Sequence, residues 1–547
     1  MPTISIKARL ADAFARRTYP AEITISNGRI SQITELTSTG DTVLPYILPG
    51  FTDSHVHIES SMLVPSEFAK MAVVHGTVAT VSDPHEIANV CGPAGVEFMI
   101  ENGRTVPFKF NFGAPSCVPA TTFETAGATL DAKQVASLLA RPEIKYLSEM
   151  MNFPGVLFRD PEVMEKIAAA HALGKPVDGH APGLRGLDAQ TYIDAGISTD
   201  HECFTAEEAL DKLDRGMKIL IREGSAARNF DALIGLLADH EDHIMFCSDD
   251  KHPDSLLLGH IDQLCARAAA RGINVYSIIR AACINPVLHY KLDVGLLRTG
   301  DPADFILVDD LTGFRVRETW INGEKVAANG RSLISTTPAG TINQFDCQPI
   351  HPSHITFLVP DTDTIPVIEA LDGQLITTRG SQAVSDLLHT NGRELVSNTA
   401  ADVLKIIVVN RYKPSAVAVA FIRNFGLQAG ALASSVAHDS HNIVAVGADD
   451  GSLCRAVNLV IEATGGVSAV YGDREEIVAL PVAGLMSNAP GPDVAAAYTS
   501  IDRLSKEMGS RLGSPFMTLS FMALLVIPHL KLSDLGLFDG DRFQLLD

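Results

Sequence analysis

The chain has 547 residues, long enough for several domains, with 43 Lys and Arg against 65 Asp and Glu, a formal net charge of −22. An apolar content of 46% with 20% charged residues excludes a disordered chain. The acidic balance argues against nucleic acid or an anionic membrane as partner, because phosphate surfaces need basic patches. The eight Cys form no CxxC pair, which argues against a small disulfide framework and a Cys-rich zinc site. No apolar run approaches the ~20 residues that span a bilayer, and the first residues lack a signal-peptide core. A cytoplasmic protein in a reducing compartment is expected.

Residues 1–47 read as short strands: AEITISNGRISQITEL alternates apolar and polar, with Asn27-Gly28 as a hairpin turn. Over residues 48–299 eight apolar runs follow: ILPGFTDSHVH, TVATVSD, PFKFNFG, KYLSEMM, PVDGH, ISTDH, KILIREG and HIMFCSD. Between them lie helical stretches such as DPEVMEKIAAAHALG and GHIDQLCARAAARG, several closed by Gly. Eight strands over about 250 residues predict an α/β fold of the TIM-like (β/α)8 barrel type. A doubly wound sheet is the alternative, but its Gly-rich phosphate turn is missing. Residues 300–330 return to strand text, ADFILVDD and ETWINGEKV, with a second hairpin pair, Asn322-Gly323. These are expected to join residues 1–47 in one small discontinuous β-sandwich domain. Residues 330–350 read as a linker, and 351–547 as a C-terminal α/β or α+β domain.

The first barrel run ends with His55 and His57, which on a strand project from one face. Other predicted strands end in Glu149, His180, His201 and Asp249. Singly, each such residue has an ordinary explanation, since a terminal Asp or Glu often caps the next helix. Together, six ligands from five strand ends converge on the barrel mouth where catalytic groups collect. They are the right number and type for two divalent ions bridged by a carboxylate.

The pattern Pro49-Gly50-Phe51-x-Asp53-x-His55-x-His57 resembles the strand-one signature of the amidohydrolase superfamily (metallo-dependent hydrolases). Within it, HIESSMLVPSEFAKMAVVHGTVATVSDPHEIANV, SEMMNFPGV, DGHAPGLRG, STDHECFTAEEAL, FCSDDKHP, AHDSHNIVAVG and LPVAGLMSNAPG are similar to stretches of the adenine deaminases, over nearly the whole chain. The resemblance implies that His55 and His57 hold the more buried metal, and His180 and His201 the second. Many members bridge the metals with a carbamylated Lys at the end of strand four. Here Lys145 is four residues too early, and Glu149 takes the bridge. Asp249 matches the strand-eight aspartate. Asp250 is left to cap the next helix or to hold a ligand.

The implied activity is hydrolytic deamination of adenine to hypoxanthine and ammonia, in purine salvage. Glu149 and Asp249 would be the catalytic carboxylates, with Asp249 relaying the proton of the attacking water. The resemblance favours Mn(II) or Fe(II), while the His and carboxylate ligands also admit Zn(II). The zinc deaminases with an HxE…PCxxC signature are excluded by the missing CxxC. The substrate is a small neutral base that an acidic protein does not repel, and a homo-oligomer is expected. The alternatives are another cyclic amidohydrolase, with a hydantoin, dihydropyrimidine or other purine substrate, and a non-catalytic barrel relative. All six ligands being present argues against the last.

Substrate-binding candidates follow. Glu86 can accept from the adenine amine or an N–H edge, and His85 can donate to the ring or orient a ligand. The alternative is that Asp83 merely caps the helix beginning near Pro84. Glu59, Ser60 and Ser61 follow the His-x-His and Glu202 adjoins His201, so all four are within reach of a pocket. Near the end of the chain His438, Asp439, Ser440 and His441 form a polar knot. Either this loop closes over the barrel mouth and contacts adenine, or it is a polar loop packed on another domain. Ser440 lies in no GxSxG turn, so it is not read as a nucleophile. His75, His171, His240 and His243 are placed at helix ends or on the surface.

Overall fold

The computed structural model describes residues 3–37, 43–335 and 338–546. Thr336 and Thr337 of the expected linker, residues 38–42, and the terminal residues 1, 2 and 547 lie outside the described residues. The first strands are β1 (Ile4–Asp12), β2 (Arg17–Ser26), β3 (Arg29–Glu35) and β4 (Tyr46–Pro49). Asn27 and Gly28 both have positive φ, the primed turn that matches strand twist. The antiparallel register of β1 on β2 turns Ala8, Leu10, Ala21, Ile23 and Ile25 inward.

A parallel barrel follows, built from β5 (Phe51–Val56), β6 (Thr77–Ser82), β7 (Lys109–Ala114), β8 (Ile144–Met150), β9 (Val177–Gly179), β10 (Thr199–Asp200), β11 (Lys218–Arg222) and β12 (Ile244–Cys247). β5 to β9 form one parallel sheet and β10 to β12 another. Parallel bridges Val177↔Ile197 and Val56↔Asp249 join the two sheets and close the ring. The strands are buried on both faces for most of their length, and polar residues such as Thr52, Asp53, Thr80 and Ser82 are buried with them. The last seam relies on side chains as much as backbone. Asp53 accepts from the Ser248 amide at 2.9 Å, from Ser248 Oγ at 2.5 Å and from His260 Nε2 at 2.8 Å. The returning helices begin with caps that satisfy their free amides: Asp160 accepts from Glu162 and Val163, and Thr205 from Glu208.

After the barrel come β13 (Phe305–Val308), β14 (Val316–Ile321), β15 (Glu324–Ala328) and β16 (Arg331–Ser332). They extend the first sheet in the order β16-β15-β14-β13-β4-β1-β2-β3, so both flanks of the barrel share one sheet. That sheet curls until its two hairpin tips touch. A Cβ on Gly28 would lie 2.7 Å from the Asn322 carbonyl oxygen, so only glycine fits. Phe305 and Trp320 stack inside the curl.

The C-terminal region centres on a second eight-stranded sheet spanning residues 364–479. Helix Asp450–Glu462 covers one face, and helices Gly491–Glu507 and Pro515–Phe521 pack into the core shared with the barrel. Backbone bonds between Ser487 and both Met62 and Val64 fasten this region to the loop after β5. It thereby sits over the barrel mouth. Among the described residues, no helix is long and apolar enough to cross a membrane.

Candidate metal centre

The six expected ligands, His55, His57, Glu149, His180, His201 and Asp249, come together in one buried cluster. His55 at the end of β5 and His57 just past it bring their Nε2 atoms to 3.1 Å. The His201 ring, just past β10, stacks on His55 with centroids 4.2 Å apart. Glu149 on β8 stands between two histidine pairs. Its Oε1 lies 3.3 Å from His57 Nε2 and 4.0 Å from His55 Nε2, and its Oε2 lies 2.8 Å from His180 Nδ1 and 3.2 Å from His201 Nε2. Asp249, beyond β12, adopts the left-handed region and presents Oδ1 at 3.5 Å from His55 Nε2 and 3.3 Å from His57 Nε2.

The donor set tests whether a cation belongs here. Ring nitrogens and carboxylate oxygens crowd within 4.8 Å of one another in several overlapping groups, all buried. Burial, followed by the neighbouring His201, pulls His55 below its ordinary pKa, whereas against the opposing effect of burial the carboxylates of Glu149, Asp249 and Glu202 raise His57, His180 and His201, so the cluster draws positive charge to itself. Nitrogen and oxygen donors without sulfur suit divalent cations of the Mn, Fe and Zn type. The residues fit such ions.

Arg222, at the end of β11, is the guanidinium of this cavity. Its Nη1 donates to Glu202 Oε1 at 2.5 Å and to Asp249 Oδ2 at 2.6 Å, and its Nη2 donates to Glu202 Oε2 at 2.8 Å. Burial alone would raise the Glu202 pKa; Arg222, then His180 and His201, hold it at about 2. Burial likewise opposes ionisation of Asp249, and Arg222, His55 and His57 overcome it, keeping the carboxyl well below its usual range.

The remaining candidates divide into two groups. His85, His438, Glu86 and Glu202 line the cavity. His85 Nδ1 lies 3.0 Å from Asp83 Oδ2 and 3.5 Å from Glu149 Oε1. Asp83 also accepts from the His85 amide, so it both caps the helix and orients the ring. Glu86 is clasped by His438 Nδ1 and His441 Nε2, which brings the polar knot over the barrel mouth. Glu59, Ser60 and His441 do not reach the cavity wall. Glu59 Oε1 accepts from the Ile87 amide at 3.2 Å and so supports the segment carrying His85 and Glu86. Ser60 Oγ donates to Asp250 Oδ1 at 2.5 Å, so Asp250 is tied to the loop after β5 and leaves the next helix uncapped by its side chain. His75 and His171 lie elsewhere, paired with Asp262 and the Gly196 carbonyl.

Arg222, Asp439 Oδ1 (3.6 Å from His85 Nε2) and the apolar side chains Met151, Leu375, Phe521 and Leu524 also belong to the cavity. Arg222 ends the run KILIR, so the strand-end rule that found the histidines would have found it. The apolar residues carry no local signal.

A parallel barrel with metal ligands at its strand ends is the architecture of amidohydrolases, and residues 46–326 match the amidohydrolase family. Residues 374–544 match the adenine deaminase C-terminal domain. The chain is 54% identical to an adenine deaminase of Salinibacter ruber, over 100% of this chain and 99% of that one. It is 53% identical to one of a Sulfurovum species, over 100% and 99% of the two chains, and 48% identical to one of Borreliella burgdorferi over the whole of both. Among solved structures, a β-aspartyl dipeptidase of Fervidobacterium islandicum aligns with a TM-score of 0.46 at 15% identity, over 60% of this chain and 98% of that one. The chain belongs to the amidohydrolase family and, within it, to the adenine deaminases. The family implies a divalent metal centre.

Proposed function

We propose that this protein hydrolyses adenine to hypoxanthine and ammonia at a centre of two divalent ions, Mn(II) or Fe(II) before Zn(II). The observation that carries the reading is Glu149, whose two oxygens face separate histidine pairs. His55 and His57 with Asp249 would hold one ion, and His180 and His201 the other, with Glu149 shared. Such ions supply the Lewis acidity that makes water a nucleophile near neutral pH.

The protein's own groups do the rest. Asp249, one oxygen facing the histidines and the other held by Arg222, is placed to accept the proton of the attacking water and return it to the leaving amine. Arg222 fixes the orientation of this carboxylate. Glu86, gripped by His438 and His441, is fixed as an acceptor for the amine edge of the base. His85, oriented by Asp83, is a donor to the ring nitrogen that gains density when C6 becomes tetrahedral. Desolvation strengthens each of these contacts.

Purified protein loaded with Mn(II) or Fe(II) should consume adenine absorbance and release one ammonia per adenine. Adenine left intact under both metals would sink the reading, and a small panel of hydantoin and dihydropyrimidine substrates would then show which ring is used.

A further inference from the structure

The cavity has an apolar side that the chemistry above does not use. Leu375, Phe521 and Leu524 line it from the C-terminal region, and Met151 lines it from the end of β8. All four are at least nine-tenths buried. The Phe521 ring stacks against the His438 ring, with centroids 5.2 Å apart and planes at 27°. The side chain that clasps Glu86 is therefore also the support of this wall. An apolar face opposite a few convergent polar groups is the usual plan of a small-molecule site.

The wall comes from separate pieces of chain. Leu375 sits in the loop before strand Thr377–Ala383, while Phe521 ends helix Pro515–Phe521 and Leu524 follows in the next turn. Lys531 joins them. Its side chain is fully buried, and its Nζ donates to the Leu375 carbonyl at 2.6 Å and to the Phe521 carbonyl at 2.8 Å. Among the described residues no carboxylate pairs with it. Burial pulls its pKa down to about 7. An unpaired lysine in such a place is costly, and here it binds the two backbone segments that present the wall.

We infer that Leu375, Phe521 and Leu524 form the surface on which the planar face of the base packs, and that Lys531 is a positioning residue that holds this surface in place. The inference rests on the reading that the base binds in this cavity. The wall touches the ring face and no functional group of the base, so it serves adenine and hypoxanthine alike. Discrimination between them is left to Glu86 and His85 at the edge.

The test uses the metal-loaded full chain, with adenine turnover and hypoxanthine binding measured separately. Phe521→Leu and Leu524→Ala should raise the KM for adenine and the Kd for hypoxanthine by one common factor of about tenfold, with kcat changed by less than about threefold. Lys531→Met should give the same signature without touching the ligand. Leu524→Ala with native metal content and melting temperature but unaltered KM and Kd would overturn the inference. So would a fall in kcat at constant KM in all three variants. A wild type that fails to turn over adenine, together with hypoxanthine binding that still weakens in these variants, would overturn the proposed reaction and leave the wall standing.

Discussion

The two sides of the cavity are built by opposite rules. On the barrel side, His55, Glu149, His180, His201, Arg222 and Asp249 sit at or just past the ends of parallel strands, where the backbone sets the direction of each side chain. On the C-terminal side, Leu375, Phe521 and Leu524 come from loops and a helix end, and are aimed by packing and by the Lys531 bonds. The first side supplies charge and lone pairs, the second shape. Glu86, clasped by His438 and His441, is where they meet. The difference teaches that bond-making chemistry is anchored in local backbone geometry, while fit to a ring face is assembled from distant segments.

Substitutions on the two sides should therefore fail in different ways. Glu149→Gln should have the largest effect, lowering kcat by at least about 10³-fold, the scale of losing a principal electrostatic group. Metal analysis should find fewer ions per chain, and a variant retaining full activity and two tight ions would refute the bridge. Arg222→Met comes next. It strands Glu202 and Asp249 as buried charges, a cost of about 3–5 kcal/mol that a denaturant titration would read, with a matching loss of kcat. Metal removal by chelator should then lower the melting temperature, because ions that bind only the folded chain stabilise it by mass action. Glu86→Gln should lower kcat/KM for adenine by about tenfold while leaving hypoxanthine binding less affected, which separates edge from face.

The smallest effect concerns Lys531. Its pKa lies near 7 in the folded chain and at its ordinary, higher value when unfolded. Between these values the unfolded state binds more protons, so this group's penalty is full below pH 7 and fades as pH rises. The melting temperature of the wild type should gain on that of Lys531→Met between pH 7 and about pH 9. A constant difference would show that the lysine titrates normally.

How much of this was legible in the sequence follows the same division. Alternation of short, strand-like runs with Gly-terminated helices was enough for the barrel, because repeated βα units of this length pair as a parallel sheet. The Asn-Gly pairs at 27–28 and 322–323 announced the hairpins, and their positive φ angles bear this out. The histidines and carboxylates stood out only together, because six ligand-type side chains at five strand ends exceed what helix capping explains. Arg222 obeys the same rule, but a cation at a strand end carries no metal-ligand signal. Glu59 and Ser60 adjoin the His-x-His in sequence, yet the short helix after His57 places them behind the cavity wall, Glu59 on the Ile87 amide and Ser60 on Asp250, whose own side chain lines the cavity. The apolar wall was invisible: Leu375, Phe521 and Leu524 are ordinary core residues until the chain brings residues 375, 521 and 531 together.

The seam between β5 and β12 also gives the site a history. Asp53 and Ser248, whose contact closes the barrel, are 195 residues apart. During synthesis, His55 and His57 emerge long before Asp249 can join them, and later still come His438 and Lys531. A newborn chain thus offers two imidazoles to passing cations well before it can enclose them. The complete donor set exists only once the ring has closed, so the site belongs to the finished barrel rather than to any local segment.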